Sequence, residues 1–256
     1  MSTVLVPAPE TLHPALWRAH QLGSGRTQAV ASGFAPLDAE LPGGGWPRAA
    51  ITELLLSHAG IGELRLLAPA LRQVVQAGRV VMLFDPPWPL CAPGWQQLGM
   101  AVEQWVVVQA RARVRAPVRE LLPHADVLWA LEQALKSGHV GAILAWLPAR
   151  LRADVLRRLQ LAAQAHNGPA FLLRDLSAQM RPSPAPLRLA LQPAGVDRLA
   201  VRVLKRRGPA LLQVLHLALP AVLPRPQRSR AEPLADEQAP LPQPLPQAPR
   251  PSFTSF

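Results

Sequence analysis

Ile51-Thr-Glu-Leu-Leu-Leu-Ser-His-Ala-Gly-Ile-Gly-Glu-Leu-Arg-Leu66 places an apolar strand, a glycine-containing loop and the start of a helix in direct succession. A phosphate-binding loop of the pattern G-x-x-x-x-G-K-[ST] has this order, and it brings backbone N–H groups, a lysine and a hydroxyl to the phosphates and Mg²⁺. Here Glu63 and Leu64 occupy the lysine and hydroxyl positions, and Ser57 stands where the first glycine belongs. The sequence therefore predicts a nucleotide-binding architecture that has lost its chemistry.

Gly60, Gly62 and Glu63 form what we interpret as a vestigial phosphate loop. The two glycines still permit a bent backbone at a helix N-terminus, where N–H groups favour anions. Glu63, however, lies in the first helical turn and supplies the negative charge that the helix dipole would otherwise draw from a ligand. The chain has only two lysines, Lys136 and Lys205, so none lies nearby to replace the missing one. We expect a self-capped helix end and no bound cofactor.

Length and composition favour one domain with appendages. The chain has 256 residues, of which 49% are hydrophobic, which is enough for a core of ordinary size. Its single cysteine, Cys91, excludes an internal disulfide and a cysteine-rich zinc site, and its seven histidines lack the spacing of metal ligands. No basic N-terminal segment precedes an apolar stretch, and no apolar run reaches the ~18 residues of a spanning helix. We therefore expect a cytoplasmic protein without a metal site.

Apolar runs alternate with helical patterns through most of the chain. The patterns predict strands near 51–56, 79–85, 105–108, 140–146 and 170–174, and helices near 63–77, 122–137 and 150–166. Continuous apolar strands separated by helices indicate a parallel sheet covered on both faces. After residue 185 the pattern changes to short strands at 186–191, 198–205 and 210–217, which we interpret as an antiparallel extension. The predicted fold class is α/β, with a mostly parallel sheet flanked by helices.

The ends of the chain differ from this core. Residues 1–24 are predicted to form an N-terminal arm with a short amphipathic helix at 11–22, whose apolar face leaves Trp17 available to a partner. Residues 25–219 form the predicted core domain. Prolines recur every few residues in 220–256, which predicts a disordered, proline-rich tail.

The net charge of +11 is concentrated in the part of the chain after residue 110. A basic surface can serve as an electrostatic footprint for phosphate backbones, whereas an arginine-rich chain can also carry its arginines on solvated faces without a binding role. Our candidate partner or DNA contacts are Arg150, Arg152, Arg157, Arg158, Lys205, Arg206 and Arg207. The first four lie off a predicted apolar helix stripe formed by Leu151, Val155, Leu159 and Ala162 or Ala163.

Three stretches carry a family resemblance. Ser32-Gly-Phe-Ala-Pro-Leu-Asp38, followed by Gly43-Gly-Gly-Trp-Pro-Arg48 and Ile51-Thr-Glu53, resembles the segment that leads into the first core strand of RecA-type proteins. Gly78-Arg-Val-Val-Met-Leu-Phe-Asp85 and Val201-Arg-Val-Leu-Lys-Arg-Arg-Gly-Pro209 are similar to two later strands of that family. Over about residues 25–218 the chain thus resembles the RecA family and, within it, the degenerate branch called ImuA.

The resemblance implies a RecA-like core and a role in translesion DNA synthesis during the SOS response to DNA damage. It implies a scaffold that contacts an ImuB-like Y-family polymerase homologue and an error-prone replicative-type polymerase, with RecA as a further candidate partner. Contact with DNA would be direct or indirect, and the protein would be cytoplasmic and associated with the nucleoid when engaged.

The resemblance also implies that the chain is not an enzyme. Active RecA-type members place a water-positioning glutamate shortly after the acid that corresponds to Asp85, and here Pro86 and Pro87 follow it. The place of their magnesium-associated aspartate is taken by Trp146 or Leu147. With the lysine and hydroxyl also missing, we predict no catalytic residue.

Two other functions remain open from the sequence. A RecA-type repair ATPase would need a basic side chain from another subunit, and ATP turnover would reveal it. An SOS cell-division inhibitor would act on the division ring instead of on DNA, and its overexpression would make cells filament without changing the mutation frequency.

Overall fold

The computed structural model describes residues 29–89, 91–109 and 125–221. The predicted helix at 11–22 with Trp17, the arm at 1–24 and nearly all of the tail at 220–256 lie outside these ranges. The domain boundaries that the sequence suggested therefore stay predictions.

Strands and helices alternate through the described chain, with two short 3₁₀ helices at Val102–Gln104 and Leu176–Met180. In chain order the elements are β1 (Ala29–Val30), α1 (Ala35–Asp38), β2 (Trp46–Pro47), β3 (Ile51–Leu56), α2 (Glu63–Gln76), β4 (Val81–Phe84), α3 (Ala92–Gln97), β5 (Trp105–Val108), α4 (Ala125–Ser137), β6 (Ala142–Trp146), α5 (Ala153–Ala163), β7 (Ala170–Asp175), β8 (Leu187–Pro193), β9 (Arg198–Lys205) and β10 (Val214–Ala218).

The main sheet has eight strands within the described residues, in the order β10-β9-β8-β3-β7-β6-β4-β5. The six strands from β8 to β5 are mutually parallel, whereas β9 and β10 pair antiparallel beside them. β1 and β2 form a separate antiparallel pair. The carboxyl ends of β3, β4, β6 and β7 consequently meet at one edge of the sheet, which is where parallel α/β sheets hold their functional loops.

Helices cover both faces of the sheet. α2 packs on one face, where Leu66 and Leu71 are fully buried, and on this face the ring of Trp46 meets that of Phe171 edge-on at a centroid distance of 5.2 Å. α4 and α5 pack on the other face through Leu131 and Leu159. All six residues of β3 are buried because this strand lies near the middle of a sheet covered on both sides.

Most predicted elements lie within a few residues of observed ones, and the largest differences are at helix α5 and strand β10. α5 begins at Ala153 instead of near 150, because the carbonyls of Pro148 and Ala149 accept hydrogen bonds from Arg174 and the chain there does not start a helix. The predicted stripe is therefore wrong at its start: Leu151 precedes α5, and Leu156 is buried in its place. The strand predicted at 210–217 begins four residues later and ends one residue later, at Val214–Ala218.

No helix in the described ranges combines the length and the apolar character needed to cross a membrane.

Sequence patterns missed α3 and both 3₁₀ helices, which are too short to show a helical period. The RecA-like assignment of the fold stays a prediction.

Candidate functional site

The loop between β3 and α2 lies at the sheet edge where a nucleotide-binding protein holds phosphate. Gly60 and Gly62 have φ angles of 87° and 110°, which side chains with a Cβ rarely adopt, so glycine suits this bend. Glu63 begins α2 and is only 2% exposed. Its two carboxylate oxygens accept hydrogen bonds from the backbone N–H groups of Gly60, at 2.8 Å, and Gly62, at 3.1 Å. The carboxylate thus occupies the position that a phosphate would need.

The space beside this loop is filled by the segment that follows β10. A Cβ atom on Gly62 would lie 2.5 Å from Cδ1 of Leu219. Arg65 of α2 forms an ion pair with Asp197 and donates hydrogen bonds to the carbonyl oxygens of Leu219 and Pro220. These contacts fix the end of the described core against the loop, so the loop is closed both by its own carboxylate and by neighbouring chain.

We expect Glu63→Ala to lower the free energy of unfolding by about 1–3 kcal/mol, because the N–H groups of Gly60 and Gly62 in the loop before α2 lose their acceptor. Glu63→Gln keeps one side-chain oxygen and should lose less. Urea unfolding followed by circular dichroism measures both. Glu103→Ala is the control, since Glu103 is exposed and its loss should change stability by no more than about 0.5 kcal/mol. A Glu63→Ala protein as stable as the control would contradict this account of the loop.

The cavity next to the loop is lined mainly by apolar side chains, together with Glu63 and Arg65. This cavity, of about 250 Å³, is lined by Pro86, Pro87 and Trp88 from the segment after β4 and by Trp95 of α3. Trp88 is 68% exposed at its rim. Pro86 and Pro87 follow Asp85, where the RecA resemblance predicts the water-positioning acid of active members.

The second acidic position of the RecA pattern falls at the end of β6. Trp146 and Leu147 lie there, and both also border a neighbouring cavity with His58 and Arg174. Among the residues that the structure describes, no three metal-ligating side chains come close enough together to hold an ion.

The basic residues selected from the sequence fall into different environments. Arg158 of α5 forms an ion pair with Glu132 of α4, and the hydrogen bonds from Lys136 and Arg158 hold the pKa of Glu132 below its ordinary value. Arg152 pairs with Asp154 at 3.1 Å. Arg158 and Arg152 therefore have acid partners within the fold.

Lys205, Arg206 and Arg207 differ in their contacts. Lys205 donates to the carbonyl oxygen of Ser183 at 2.9 Å, and Arg206 pairs with Glu40 at 2.7 Å. Arg207 is exposed, as are Arg150 and Arg157. Trp17 lies outside the described residues.

Sequence reasoning missed a charged cluster inside the sheet. Glu53 is fully buried, and its two oxygens accept hydrogen bonds at 2.6 Å from Nη1 of Arg174 and from Nε of Arg188. The side chains of Arg174 and Arg188 are 1% and 9% exposed. One signal was present in the sequence: each of these charges interrupts an otherwise apolar strand, and a buried charge requires a partner.

Fold and site together define an α/β protein whose phosphate-type loop is closed by its own glutamate. The sequence model of the family described as "Cell division inhibitor SulA" matches residues 49–170, from just before β3 to the start of β7. The cell division inhibitor SulA of Pectobacterium atrosepticum is 33% identical over 116 residues, which cover 44% of this chain and 61% of that protein. SulA of Yersinia enterocolitica is 32% identical over 127 residues, which cover 50% of this chain and 68% of that protein.

The chain belongs to the SulA family of cell division inhibitors. It spans about three fifths of the length of the two Pectobacterium relatives, which are matched over 61% and 60% of their chains.

This finding corrects the resemblance to ImuA, which is wrong. The implied role in translesion synthesis is wrong with it, as are the partners: the ImuB-like homologue, the error-prone polymerase, RecA and DNA. The stretches that suggested ImuA consist of glycine-rich turns and of apolar strands. Such turns and strands are needed to build an α/β sheet, and proteins with different functions share them.

Proposed function

We propose that this protein inhibits bacterial cell division. The observation that carries the proposal is the family match over residues 49–170, which includes the closed loop, α2 and the central strands β3, β4 and β6. Of the functions left open by the sequence, the division inhibitor agrees with this match. The translesion scaffold and the repair ATPase do not.

The site supports a mechanism by protein contact without catalysis. The N–H groups of Gly60 and Gly62 that would hold a phosphate already bind the carboxylate of Glu63. The adjacent cavity presents prolines and tryptophans where hydrolysis would require an acid. A RecA-like fold in the bacterial cytoplasm, used as a rigid scaffold without a nucleotide switch, accounts for these features. Nucleoid association rested on the DNA-repair interpretation and forms no part of the proposal.

The test is expression of the full chain from an inducible promoter in a bacterial strain that cannot induce its own DNA-damage response. We expect long filaments with segregated nucleoids and few constrictions, because growth and chromosome segregation continue when division stops. Microscopy of cells with a fluorescent division ring measures filament length and the number of rings per cell. Cells that carry the empty vector should divide normally.

The mutation frequency of the same cells separates the alternatives. An inhibitor of division leaves the frequency of resistance mutations at the level of the empty vector, whereas a mutagenesis factor raises it. Cells of normal length at a confirmed level of folded protein would contradict the proposed function.

A further inference from the structure

A cleft at the carboxyl edge of the sheet carries a concentration of positive charge. It lies between the segment joining β6 to α5 and the segment after the second 3₁₀ helix, and its volume is about 460 Å³. Its charged lining residues are Arg150, Arg152, Arg174 and Arg181, and none of the described residues that line it is a carboxylate. We call it the arginine cleft. It is distinct from the cavity beside the closed loop, because the described residues that line the two do not overlap.

The fold does not neutralise this charge. Glu53 supplies one carboxylate to two guanidinium groups, so the buried cluster with Arg174 and Arg188 keeps a net charge of about +1 under the cleft. Within the described ranges, Arg150 and Arg181 pair with no acid. Of the other two lining arginines, Arg174 shares Glu53 with Arg188, and Arg152 pairs with Asp154 in an ion pair that is more than half exposed on both sides.

Arg174 also fixes the rim of the cleft. Its Nη2 donates to the carbonyl oxygen of Ala149 at 2.7 Å, and its Nε donates to that of Pro148 at 3.3 Å. The segment that bears Arg150 and Arg152 is therefore held by a side chain that is itself bonded to Glu53. A binding surface fixed in advance in this way loses less conformational entropy when a ligand binds.

Apolar residues accompany the arginines. Leu156 of α5 is buried at the floor of the cleft, and Leu151 and Pro182 line its sides. Proteins that bind single-stranded nucleic acid combine charge with aromatic side chains on which bases stack, and the described part of the chain places no aromatic residue in the lining of this cleft. Charge together with aliphatic surface suits a peptide in which carboxylates flank an apolar side chain.

We propose that the arginine cleft binds an acidic segment of the protein partner through which this chain blocks division. The inference rests on the proposed function and adds to it the surface and the chemistry of the partner. Carboxylates of the partner bind Arg150 and Arg181, and they offset the uncompensated charge of the cluster below.

The test uses the full chain with a double charge reversal, Arg150→Glu with Arg181→Glu. The matched control is Arg157→Glu with Arg198→Glu, which changes the net charge equally at two exposed arginines that do not line the cleft. Thermal unfolding followed by circular dichroism verifies that both variants fold. The probe is a fluorescein-labelled peptide of alternating glutamate and leucine, titrated by fluorescence anisotropy at low and high salt, with a single-stranded DNA oligonucleotide as competitor.

We expect the cleft variant to bind the peptide at least about tenfold more weakly than the wild-type protein, and the control variant to bind it normally. Added salt should weaken wild-type binding because the cleft is open to solvent. In cells, the cleft variant should lose filamentation while the control keeps it. The inference would be overturned if the two variants bound the peptide with equal affinity. It would also be overturned if the wild-type protein bound the oligonucleotide but not the peptide, and the cleft variant no longer bound the oligonucleotide.

Failure of the proposed function is recognised separately. If the wild-type chain does not cause filaments, the proposed function fails whatever the peptide titration shows. If the wild-type chain causes filaments and the cleft variant does so equally, the proposed function stands and this inference is overturned.

Discussion

Glu53→Ala is expected to lower the free energy of unfolding by about 3–5 kcal/mol. The carboxylate is fully buried and is the shared partner of Arg174 and Arg188, each at 2.6 Å. Its removal leaves two guanidinium groups inside the sheet without a counter-charge. The free energy needed to bury an unpaired charge is larger than the stabilisation that a surface ion pair provides. The burial of the cluster therefore determines how much stability the variant loses.

Chemical unfolding in guanidinium chloride, followed by tryptophan fluorescence and circular dichroism, measures this loss. Glu132→Ala is the matched control, because Glu132 also binds two cations, Lys136 and Arg158, but does so at the surface, where both cations are at least half exposed. Its loss should cost less than about 1 kcal/mol. Two variants of equal stability would contradict the assignment of Glu53 as the centre of a buried cluster. Glu53→Gln should lose an amount of stability between those lost by Glu53→Ala and Glu132→Ala. Its side chain keeps the shape and one hydrogen-bond acceptor of Glu53 but loses the charge.

The sequence showed that Glu53, Arg174 and Arg188 interrupt apolar strands, but it could not reveal that these three charges pair with one another. Apolar runs identified β3 and β7 because an alternation of buried strands and helices is visible locally. They also identified β8, but the sequence assigned it to the antiparallel extension, which is wrong because β8 pairs parallel to β3. The pairing of these strands is not local: Glu53 lies opposite Leu172 on one side and Arg188 on the other. Arg188 follows Glu53 by 135 positions in the chain. Only the register of the sheet joins them.

The loop shows the opposite case. The types of residue at Gly60, Gly62 and Glu63 predicted a self-capped helix end, and the Glu63 carboxylate does accept hydrogen bonds from both glycines, whose N–H groups precede the first turn of α2. The function could not be predicted from the same motifs, because a strand followed by a turn and a helix occurs in α/β proteins of many different functions. The family is identified from the whole sequence of residues 49–170, and a single short motif contains too little of that sequence to identify it.

His166 is expected to make the protein lose stability as the pH falls from about 6.5 to about 4. The side chain is fully buried, and burial, with a smaller contribution from the charge of Arg79, lowers its pKa to about 4. An unfolded histidine titrates near about 6.5. Between these two values the unfolded chain binds the proton and the folded protein does not, so acid favours unfolding. The difference in pKa corresponds to about 3 kcal/mol, fully lost only below the folded pKa.

The contribution of His166 is isolated by comparison with a residue that does not titrate in this range. The free energy of unfolding of the wild-type protein and of His166→Gln should be measured by urea titration at several values from pH 7.5 to pH 4.5. Carboxylates titrate in both proteins, so only the difference between the two curves reports on His166. The stability of the wild-type protein should fall more steeply than that of the variant as the pH decreases. His139→Gln is the control, because His139 is exposed and its removal should leave the slope nearly unchanged. Parallel curves for wild type and His166→Gln would show that the buried ring takes up its proton without cost, contrary to the burial that the fold imposes on it.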